Sequence, residues 1–458
     1  MRIKRIILMT GVVIACLFFC SASGFAAQER GEPIVRVALL KDAESAAFKT
    51  DGSYLLLNAA SGEVVGRPES GETWQVQFSD GRYRILKDGS QVGVFAGPLA
   101  LSASQGAEVA VAASGSRASM VRVGEGTEVL AAGELRTRLP KGSFAVVSAT
   151  GLSTVSAGSG EPFFVLRVGN EWRRFRGDLH LSSTGTGLLA VNKVLLEQYL
   201  YSVVPSEMPF REAEALKAQA VAARSYALGS LAGSTGRDYD VLATEMSQVY
   251  RGMDWENPAC TAAVEATRGQ VLRISGGEIV VAFFHSSSGG YTENSEDVWT
   301  EAIPYIRAKK DDFDWNPVHY NWTVTYDLCQ LVDNLAKKRY TLFAIDDIQE
   351  VERTSTGMRV KKILVTGREI NGQQVSYEIF NADRVRSALG LKSSYFTMTK
   401  NFDPSGKLVS VTFNGNGWGH GLGMSQYGAY GMAKAGYTYR EILDHYYTNV
   451  KIVQEYTS

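Results

Sequence analysis

The sequence has few cysteines and prolines, four and eleven among 458 residues, and almost no net charge. Two of the cysteines fall in an N-terminal leader. The remaining pair, Cys260 and Cys329, forms neither a disulfide framework nor a metal-binding motif. The formal charge of -1 excludes the overall basic character that marks many nucleic-acid-binding proteins, so we expect no nucleic-acid partner. Scarce proline and 46 glycines are typical of a folded, β-rich chain with many turns.

The signatures of several enzyme classes are also missing. There is no HExxH, HxxEH or Cys/His cluster, which argues against a metal-dependent hydrolase. There is no GxSxG elbow, which argues against a serine hydrolase. The glycine-rich segment near the C-terminus lacks the lysine and hydroxyl residue that end a nucleotide-binding loop. We therefore expect neither a metal nor a cofactor.

The first 27 residues have the pattern of an export signal. Three basic residues, Arg2, Lys4 and Arg5, precede an apolar run over residues 6–20 and a small-residue stretch over 21–27. This predicts a signal peptide, or a signal anchor that holds the chain at the membrane if it stays uncut. Cleavage is left open because Phe25 stands where a small side chain is preferred. We expect an extracytoplasmic protein, either secreted to the cell wall or membrane-anchored.

The rest of the chain divides into two predicted parts, which together indicate an α+β fold. Residues 28–160 contain short alternating runs separated by Gly, Asp and Ser, which predict a β-rich N-terminal region without a catalytic constellation. Residues 161–455 combine strand and helix signals, which predict a mixed α/β domain. In this part we expect helices at 326–341, 383–389 and 439–447, a strand pair over 269–288, and a hairpin turn at Asn371-Gly372.

Glu207 is the most informative residue because it stands between Pro205 and Pro209, ahead of an alanine-rich helix signal. Prolines on both sides restrict the backbone, and such framing suits a carboxyl that must meet one bond of a substrate. Pro209 is expected at or near the first turn of the helix. Two polar residues of that helix, Gln219 and Arg224, stand off its apolar face and would point toward Glu207 or toward water. The alternative is a solvated glutamate in a strand-to-helix turn.

A second segment, residues 416–429, interleaves five glycines with aromatic and polar side chains. Glycine allows close approach of a ligand to the backbone, and the side chains offer what a sugar needs, namely aromatic faces and amide or hydroxyl partners. The candidates for binding are His420, Ser425, Gln426 and Tyr427. A tight glycine turn between core elements is the alternative.

A third segment, residues 284–299, contains His285 and further carboxylates. Taken alone, this segment is typical of a flexible surface loop. His285 alone is more often a structural histidine than a ligand.

Together with residues 199–209, 216–227, 247–252 and 442–447, these segments resemble the SpoIID/LytB family of peptidoglycan enzymes. The resemblance runs from about residue 164 to residue 447, and the region before about residue 160 is similar to the variable N-terminal part of the family. It implies a SpoIID-like catalytic domain. It also implies a lytic transglycosylase, which cleaves the MurNAc-GlcNAc bond of glycan strands without adding water.

The resemblance assigns the role of catalytic acid and base to Glu207. One carboxyl suffices for such a reaction, since the sugar's own C6 hydroxyl is the nucleophile and closes a 1,6-anhydro ring. His420, Ser425, Gln426, Tyr427, Gln219 and Arg224 are the substrate-binding candidates. In the sporulation branch of the family the strands have already been stripped of peptides, so a cell-wall amidase is an implied partner.

Two expectations concern the environment of Glu207 and a metal. At a helix N-terminus the dipole would lower the pKa of Glu207, whereas burial beside Val204, Met208 or Trp418 would raise it, and we expect burial to prevail in the substrate complex. Some family members carry zinc on one histidine and two cysteines in the segment that begins at His285. Tyr291 and Asp297 stand at the corresponding positions here, so we expect no metal.

Two other functions remain open from the sequence. One is a non-catalytic wall-binding protein that enhances an N-acetylmuramoyl-L-alanine amidase. The other is a muramidase that uses water, with Glu293 or Glu245 as the second carboxylate.

Overall fold

A computed structural model describes residues 31–457, apart from 104–106, 112–118, 124–127, 131–135, 139–142, 149–150, 157–160, 276 and 316–317. The leader predicted at residues 1–27 lies outside the described residues. The fold is α+β, as the sequence predicted. Among the described residues, no helix combines the length and apolar character needed to cross a membrane.

Strands make up the first half of the described chain. The first eight are β1 (Ile34–Ala43), β2 (Ser45–Asp51), β3 (Tyr54–Asn58), β4 (Val64–Gly66), β5 (Trp74–Ser79), β6 (Arg82–Lys87), β7 (Ser90–Phe95) and β8 (Leu99–Ala103). The next six are β9 (Ala107–Val111), β10 (Ser119–Val123), β11 (Glu128–Leu130), β12 (Arg136–Arg138), β13 (Ser143–Ser148) and β14 (Gly151–Ser156). Four more follow, namely β15 (Phe163–Val168), β16 (Glu171–Arg176), β17 (Asp178–Ser183) and β18 (Leu188–Leu195).

Helices and short strands alternate in the second half. It begins with α1 (Leu196–Glu207), α2 (Ala213–Ala232), β19 (Val241–Leu242), a 3₁₀ turn (Met253–Trp255), α3 (Pro258–Ala266), β20 (Gln270–Ile274), β21 (Phe284–His285) and α4 (Ser295–Val298). It continues with β22 (Asn321–Asp327), α5 (Leu328–Ala336), β23 (Ala344–Arg353), β24 (Val360–Arg368), β25 (Gln374–Phe380), α6 (Ala382–Leu389), β26 (Phe396–Phe402) and β27 (Leu408–Asn416). It ends with β28 (Met424–Ser425), α7 (Gln426–Lys434), α8 (Tyr439–Tyr446) and β29 (Val450–Gln454).

Two large sheets are built from strands between β1 and β19. One has the strand order β19-β1-β18-β17-β8-β3-β4, and the other has the order β16-β15-β2-β5-β6-β7. Alternating apolar residues from both sheets, among them Phe48, Leu56, Phe164 and Leu179, share a core that continues beneath α1 and α2. Because β1 pairs with β18 and β2 pairs with β15, strands from both sides of residue 160 lie in the same sheets. The strands between β8 and β15 form two sheets of their own, with the orders β10-β9-β13-β14 and β11-β12.

Helix α1 follows β18 directly and ends at Glu207, with Pro205 inside its last turns. The prediction of a turn at Glu207 and a helix starting near Pro209 is therefore wrong, since α2 begins at Ala213. The boundary is set by Pro209, because a residue that precedes proline avoids the helical conformation and Met208 is extended. The two prolines thus frame the end of one helix rather than the start of the next.

A smaller unit over residues 321–416 has its own apolar core, which includes Trp322, Ile363, Phe396 and Phe413. It contains the sheets β22-β27-β26 and β23-β24-β25 together with α5 and α6. The hairpin between β24 and β25 and the helices predicted at 383–389 and 439–447 are confirmed. The helix predicted at 326–341 begins two residues late and is shorter, since Asp327 caps α5 through a reciprocal bond with Gln330.

The sequence predicted a strand pair within residues 269–288, and this prediction is wrong for β20 and β21, which pair with other strands. β20 pairs with β29, and β21 pairs in parallel with β28. The second pairing places His285 opposite Ser425. It thereby joins two of the segments that the sequence singled out, which lie far apart along the chain.

Candidate functional site

A cleft of about 440 Å³ opens where the end of α1 meets β21 and the glycine-rich segment. Its walls are lined by Glu207, Tyr226, Glu245, Met246, Ser247, Phe283, Phe284, His285, Ser286, Trp299, Asp383, Arg386, Trp418, Gly419, His420 and Gln426. Aromatic rings and polar groups therefore face one another across a space of the size that small-molecule and saccharide units occupy.

Glu207 reaches into this cleft from the last position of α1. The backbone N–H of Val249 donates a hydrogen bond of 2.7 Å to its Oε1. The Gln426 amide lies beside the same carboxyl, although its Nε2 makes no hydrogen bond of good geometry among the described residues. A fixed backbone donor and the rigid helix end hold the carboxyl in one orientation.

Burial is the largest influence on Glu207 and raises the pKa of its carboxyl above the ordinary value. The negative charge of Glu245 acts in the same direction, while the Val249 N–H, Gln426 and Arg251 lower the pKa. The expected helix N-terminus is wrong. Glu207 lies at the C-terminal end of α1, where the dipole is negative and also disfavours the carboxylate. Burial and dipole therefore both favour the protonated acid.

His420 and Asp383 both line the cleft. Burial lowers the pKa of His420 to about 4, although the charge of Asp383 opposes this. The Nδ1 atom of His420 accepts a hydrogen bond of 2.9 Å from the N–H of Leu422, so the proton of the neutral ring lies on Nε2. The rings of Trp299 and His420 are 5.6 Å apart. His420 is thus a neutral, oriented group in a wall rich in aromatic surface.

His285 lines the cleft beside His420, with 5.5 Å between the ring centres. Its Nδ1 bonds to the Leu422 carbonyl at 3.1 Å, while Nε2 has no partner among the described residues. Burial lowers the pKa of His285 well below its ordinary value. The ring is therefore neutral and fixed by the backbone.

The glycine-rich segment folds tightly against the protein itself. Gly417, Gly419, Gly421 and Gly423, at every second position, have φ values of 74°, 113°, 85° and 66°. A Cβ on Gly423 would lie 2.0 Å from the Phe283 carbonyl oxygen, and one on Gly417 would lie 2.6 Å from that of Ser287. The close approach that glycine permits is therefore made to residues 283–288, while the side chains between the glycines face the cleft or the core.

Two predicted binding residues lie outside the lining of the cleft. Ser425 is buried, caps α7 by accepting the N–H of Gly428, and donates to Asp314 at 3.2 Å. Tyr427 is half-buried and packs edge-on against Phe210 with ring centres 4.8 Å apart. The cleft therefore brings together Glu207, His420 and Gln426, and the roles proposed for Ser425 and Tyr427 stay predictions.

The two residues predicted from α2 point elsewhere. Arg224 is fully buried and pairs with the buried Glu197 of α1, with Nη2 and Oε2 2.6 Å apart. Gln219 is fully buried as well, and its amide has no hydrogen-bond partner among the described residues. Neither residue lines the cleft, and the expectation that they point toward Glu207 or water is wrong for Arg224, which instead ties α2 to α1.

The carboxylates considered for a water-using reaction occupy different environments. Glu245 is exposed and lines the cleft. Glu293 is fully buried, accepts hydrogen bonds from Thr354 and Thr356, and lies 3.9 Å from the guanidinium of Arg359. Only Glu245 of these two therefore shares the cleft with Glu207.

The positions that correspond to the zinc ligands of some relatives do not fit zinc here. Asp297 pairs with Lys361 at 2.8 Å and accepts the N–H of Ser355, and Tyr291 supplies no thiolate. Among the residues that the structure describes, no three His, Cys, Asp or Glu side chains are grouped as metal ligands.

Sequence reasoning missed Asp383 and Arg386, which line the cleft from α6 of the smaller unit. No sequence motif surrounds these two residues. Their place in the cleft follows only from the packing of the smaller unit beside it. Tyr226 and Trp299 were within the segments of the resemblance but were not singled out.

Comparison with known proteins shows two family models that match parts of the chain. Residues 184–273 match the family model described as "Stage II sporulation protein", and residues 293–423 match one described as a domain of unknown function. The chain is 34% identical over 279 residues to stage II sporulation protein D of Bacillus amyloliquefaciens, covering 57% of this chain and 75% of that protein. Its counterpart in Bacillus subtilis (strain 168) is 33% identical, with 57% and 76% covered.

A third relative carries a different name. The amidase enhancer of Bacillus subtilis (strain 168) is 34% identical over 293 residues, which covers 54% of this chain and 39% of that protein. The aligned region covers three quarters of each sporulation protein and is about one third identical to it, and the sporulation family model matches across α1 and α2. The chain therefore belongs to the SpoIID family.

Proposed function

We propose that the protein is a lytic transglycosylase that cleaves the MurNAc-GlcNAc bond of peptidoglycan strands. The observation that supports this most is Glu207, a carboxyl in the cleft whose pKa is raised by burial and which is fixed by a backbone donor. Protonation of a glycosidic oxygen requires a carboxyl that carries its proton, and a raised pKa favours that form of Glu207.

In the proposed reaction Glu207 acts twice. Its carboxyl gives a proton to the bridging oxygen, the bond between that oxygen and C1 of MurNAc breaks, and the electron pair leaves with GlcNAc. The carboxylate then removes the proton of the MurNAc C6 hydroxyl, whose oxygen bonds to C1 and closes the 1,6-anhydro ring. The acid is restored, and no water or second carboxylate takes part.

The surroundings of the cleft suit this role. Trp418 and Trp299 provide faces for sugar rings, and His420 contributes a neutral Nε2–H to the same cleft. Peptide-stripped glycan in the cell wall is the proposed substrate, and a cell-wall amidase is the proposed source of such strands, in sporulation or wall remodelling. An extracytoplasmic location follows from that substrate.

Incubation of the purified protein with peptide-free glycan strands, followed by mass analysis of the ends, tests the proposal. We expect 1,6-anhydro ends. The Glu207→Gln variant should lose cleavage by at least ~10²-fold, because it removes the proton that the leaving oxygen needs, while binding and thermal unfolding stay unchanged. Glu212→Gln, five residues further on and outside the cleft, is the matched control and should cleave normally.

Two other results would contradict the proposal. Reducing ends would identify a muramidase that uses water, with Glu245 as the second carboxylate within the cleft. Absence of cleavage, together with faster peptide release by an added N-acetylmuramoyl-L-alanine amidase, would identify an enhancer, the role that the name of one relative states.

A further inference from the structure

The sheet β22-β27-β26 of the smaller unit has one face on the core and one face toward solvent. Trp322, Phe413 and Val411 point to the core. Since side chains alternate along a strand, the residues between them lie on the open face, and the register aligns them in rows across the three strands. Thr323, Asn414 and Thr397 form one such row, and all three are exposed.

The open face carries amides and hydroxyls in place of charges. On β27 it presents Ser410, Thr412, Asn414 and Asn416, and their neighbours on the flanking strands are threonine or asparagine except for Asp327 at the far end. Thr325 and Thr412 are linked through their hydroxyls at 2.9 Å, and Asn416 donates to Asn321 at 2.9 Å. These side-chain bonds hold the polar groups in a regular array.

The neighbouring sheet of the same unit shows that this composition is specific to one face. β23, β24 and β25 carry ion pairs, among them Lys362–Glu378 at 2.9 Å and Lys361–Glu352 at 3.4 Å. Solvent exposure alone therefore does not explain why charges are missing from the open face of β22-β27-β26, since exposed sheets usually carry both signs of charge.

The array ends two residues from the cleft along the chain. β27 ends at Asn416, and Trp418 two residues later lines the cleft with 42% of its surface exposed. A depression of about 380 Å³ lies at the same end of the sheet, and its lining is aromatic and polar with one charged residue, Arg353. From Asn416 to Ser410 the face extends by roughly 20 Å, at about 3.4 Å per residue.

We propose that this open face binds the saccharide units of a peptide-free glycan strand that extends out of the cleft past Trp418, an inference that rests on the proposed function. A protein partner would call for apolar and aromatic contacts, and nucleic acid or an anionic membrane would call for cations. Side-chain amides and hydroxyls without charge match the hydroxyl and N-acetyl groups of a glycan.

The test compares two ligand lengths on two variants, all in a Glu207→Gln background so that the ligand stays intact. The probes are the disaccharide and the octasaccharide of the peptide-free glycan, with Kd measured by calorimetry. Thr323→Ala combined with Asn414→Ala should weaken octasaccharide binding about 10-fold by removing two hydrogen-bonding side chains, and should leave the disaccharide unaffected. Gln374→Ala combined with Ser376→Ala, exposed on β25, is the matched control and should change neither.

Unchanged octasaccharide affinity, or equal losses for both ligands, would overturn the inference. So would a dimer in sedimentation that the Asn414→Lys variant dissociates, because the face would then join two copies of the chain. Cleavage by the wild-type protein is measured separately. If the wild-type protein cleaves glycan but the double variant binds the octasaccharide normally, the proposed function stands and the extended binding surface is refuted. If only octasaccharide binding is weakened and the wild-type protein does not cleave, the surface stands and the proposed function is refuted.

Discussion

At the residue scale, the protonation of Glu207 depends on where the helix ends. In a helix that started near Pro209 the carboxyl would have met the positive end of the dipole, whereas in the structure it closes α1 at the negative end and is largely buried. Since the pKa of Glu207 is raised, its acid form is present at higher pH than for a solvated glutamate. Activity is therefore expected to fall as the pH rises through that raised pKa.

The charge of Glu245 offers a direct test of this electrostatic balance. Its negative charge raises the pKa of Glu207, so Glu245→Gln should make ionisation of Glu207 easier and lower that pKa. The alkaline limb of the pH–rate profile should move to lower pH by about a few tenths of a unit, more at low salt, because Glu245 is exposed and screened. Initial rates on peptide-free glycan measure this.

Glu378→Gln is the control for that experiment, since Glu378 is an exposed glutamate on β25 and does not line the cleft. It should leave the profile in place. If Glu245→Gln abolished cleavage altogether, Glu245 would be a reacting carboxylate and the single-acid reaction would be refuted.

At the element scale, alternate glycines allow the segment 417–423 to lie directly on residues 283–288. Gly423→Ala should lower the free energy of unfolding by several kcal/mol. The reasons are a left-handed φ of 66°, which costs about 1–2 kcal/mol, and a Cβ 2.0 Å from the Phe283 carbonyl oxygen. Chemical denaturation measures the difference.

Gly436 separates these two causes. Its φ is 92°, but no atom of the described part of the chain lies within 4 Å of an added Cβ. Gly436→Ala should therefore cost only the backbone strain, about 1–2 kcal/mol. Equal losses for the two variants would show that the close contact at Gly423 relaxes freely.

The buried pair Arg224–Glu197 holds α2 against the helix that carries Glu207. Arg224→Met leaves the Glu197 carboxylate buried without its cation, and it should lower the free energy of unfolding by about 3–5 kcal/mol. On the same helix Lys217 forms a half-exposed pair with Glu214, so Lys217→Met should cost about 1 kcal/mol or less. A small effect of Arg224→Met in denaturation would argue against this structural role, and Glu197→Gln in the same chain should recover part of the loss.

At the scale of the whole molecule, the sequence predicted the α+β class, four of the eight α-helices of the described residues and the segments that meet at the cleft. Apolar periodicity identifies α2, a short aromatic-rich run identifies α8, and the turn pair Asn371-Gly372 identifies a hairpin, because these signals are local. The partners of β20 and β21 and the arrival of Asp383 at the cleft could not be predicted, since they depend on packing between residues distant in the chain. The positions of Ser425 and Arg224 could not be predicted either, because their polar side chains bond to buried partners and do not line the cleft.

The strand pairing across residue 160 also predicts which fragments of the chain can fold. A fragment that starts at residue 161 keeps α1 and Glu207 but loses β1 and β2, which pair with β18 and β15. We expect this fragment to be unfolded or aggregated in circular dichroism and sedimentation, because two strand edges and the part of the shared core that packs on residues 35–103 become exposed. A fragment from residue 31 should fold. A folded and active fragment from residue 161 would show that the catalytic part is autonomous.

The pairing of β1 with β18 joins two strands that are synthesised at different times. β1 ends at Ala43, and its partner is complete only at Leu195, about 150 residues later. At 5–20 residues per second this interval lasts roughly 10–30 s, during which an alternating apolar strand has no partner along its β18 edge. Slower synthesis lengthens that exposure, so the yield of folded protein should depend on how fast residues 44–195 leave the ribosome and on chaperones that shield β1 meanwhile.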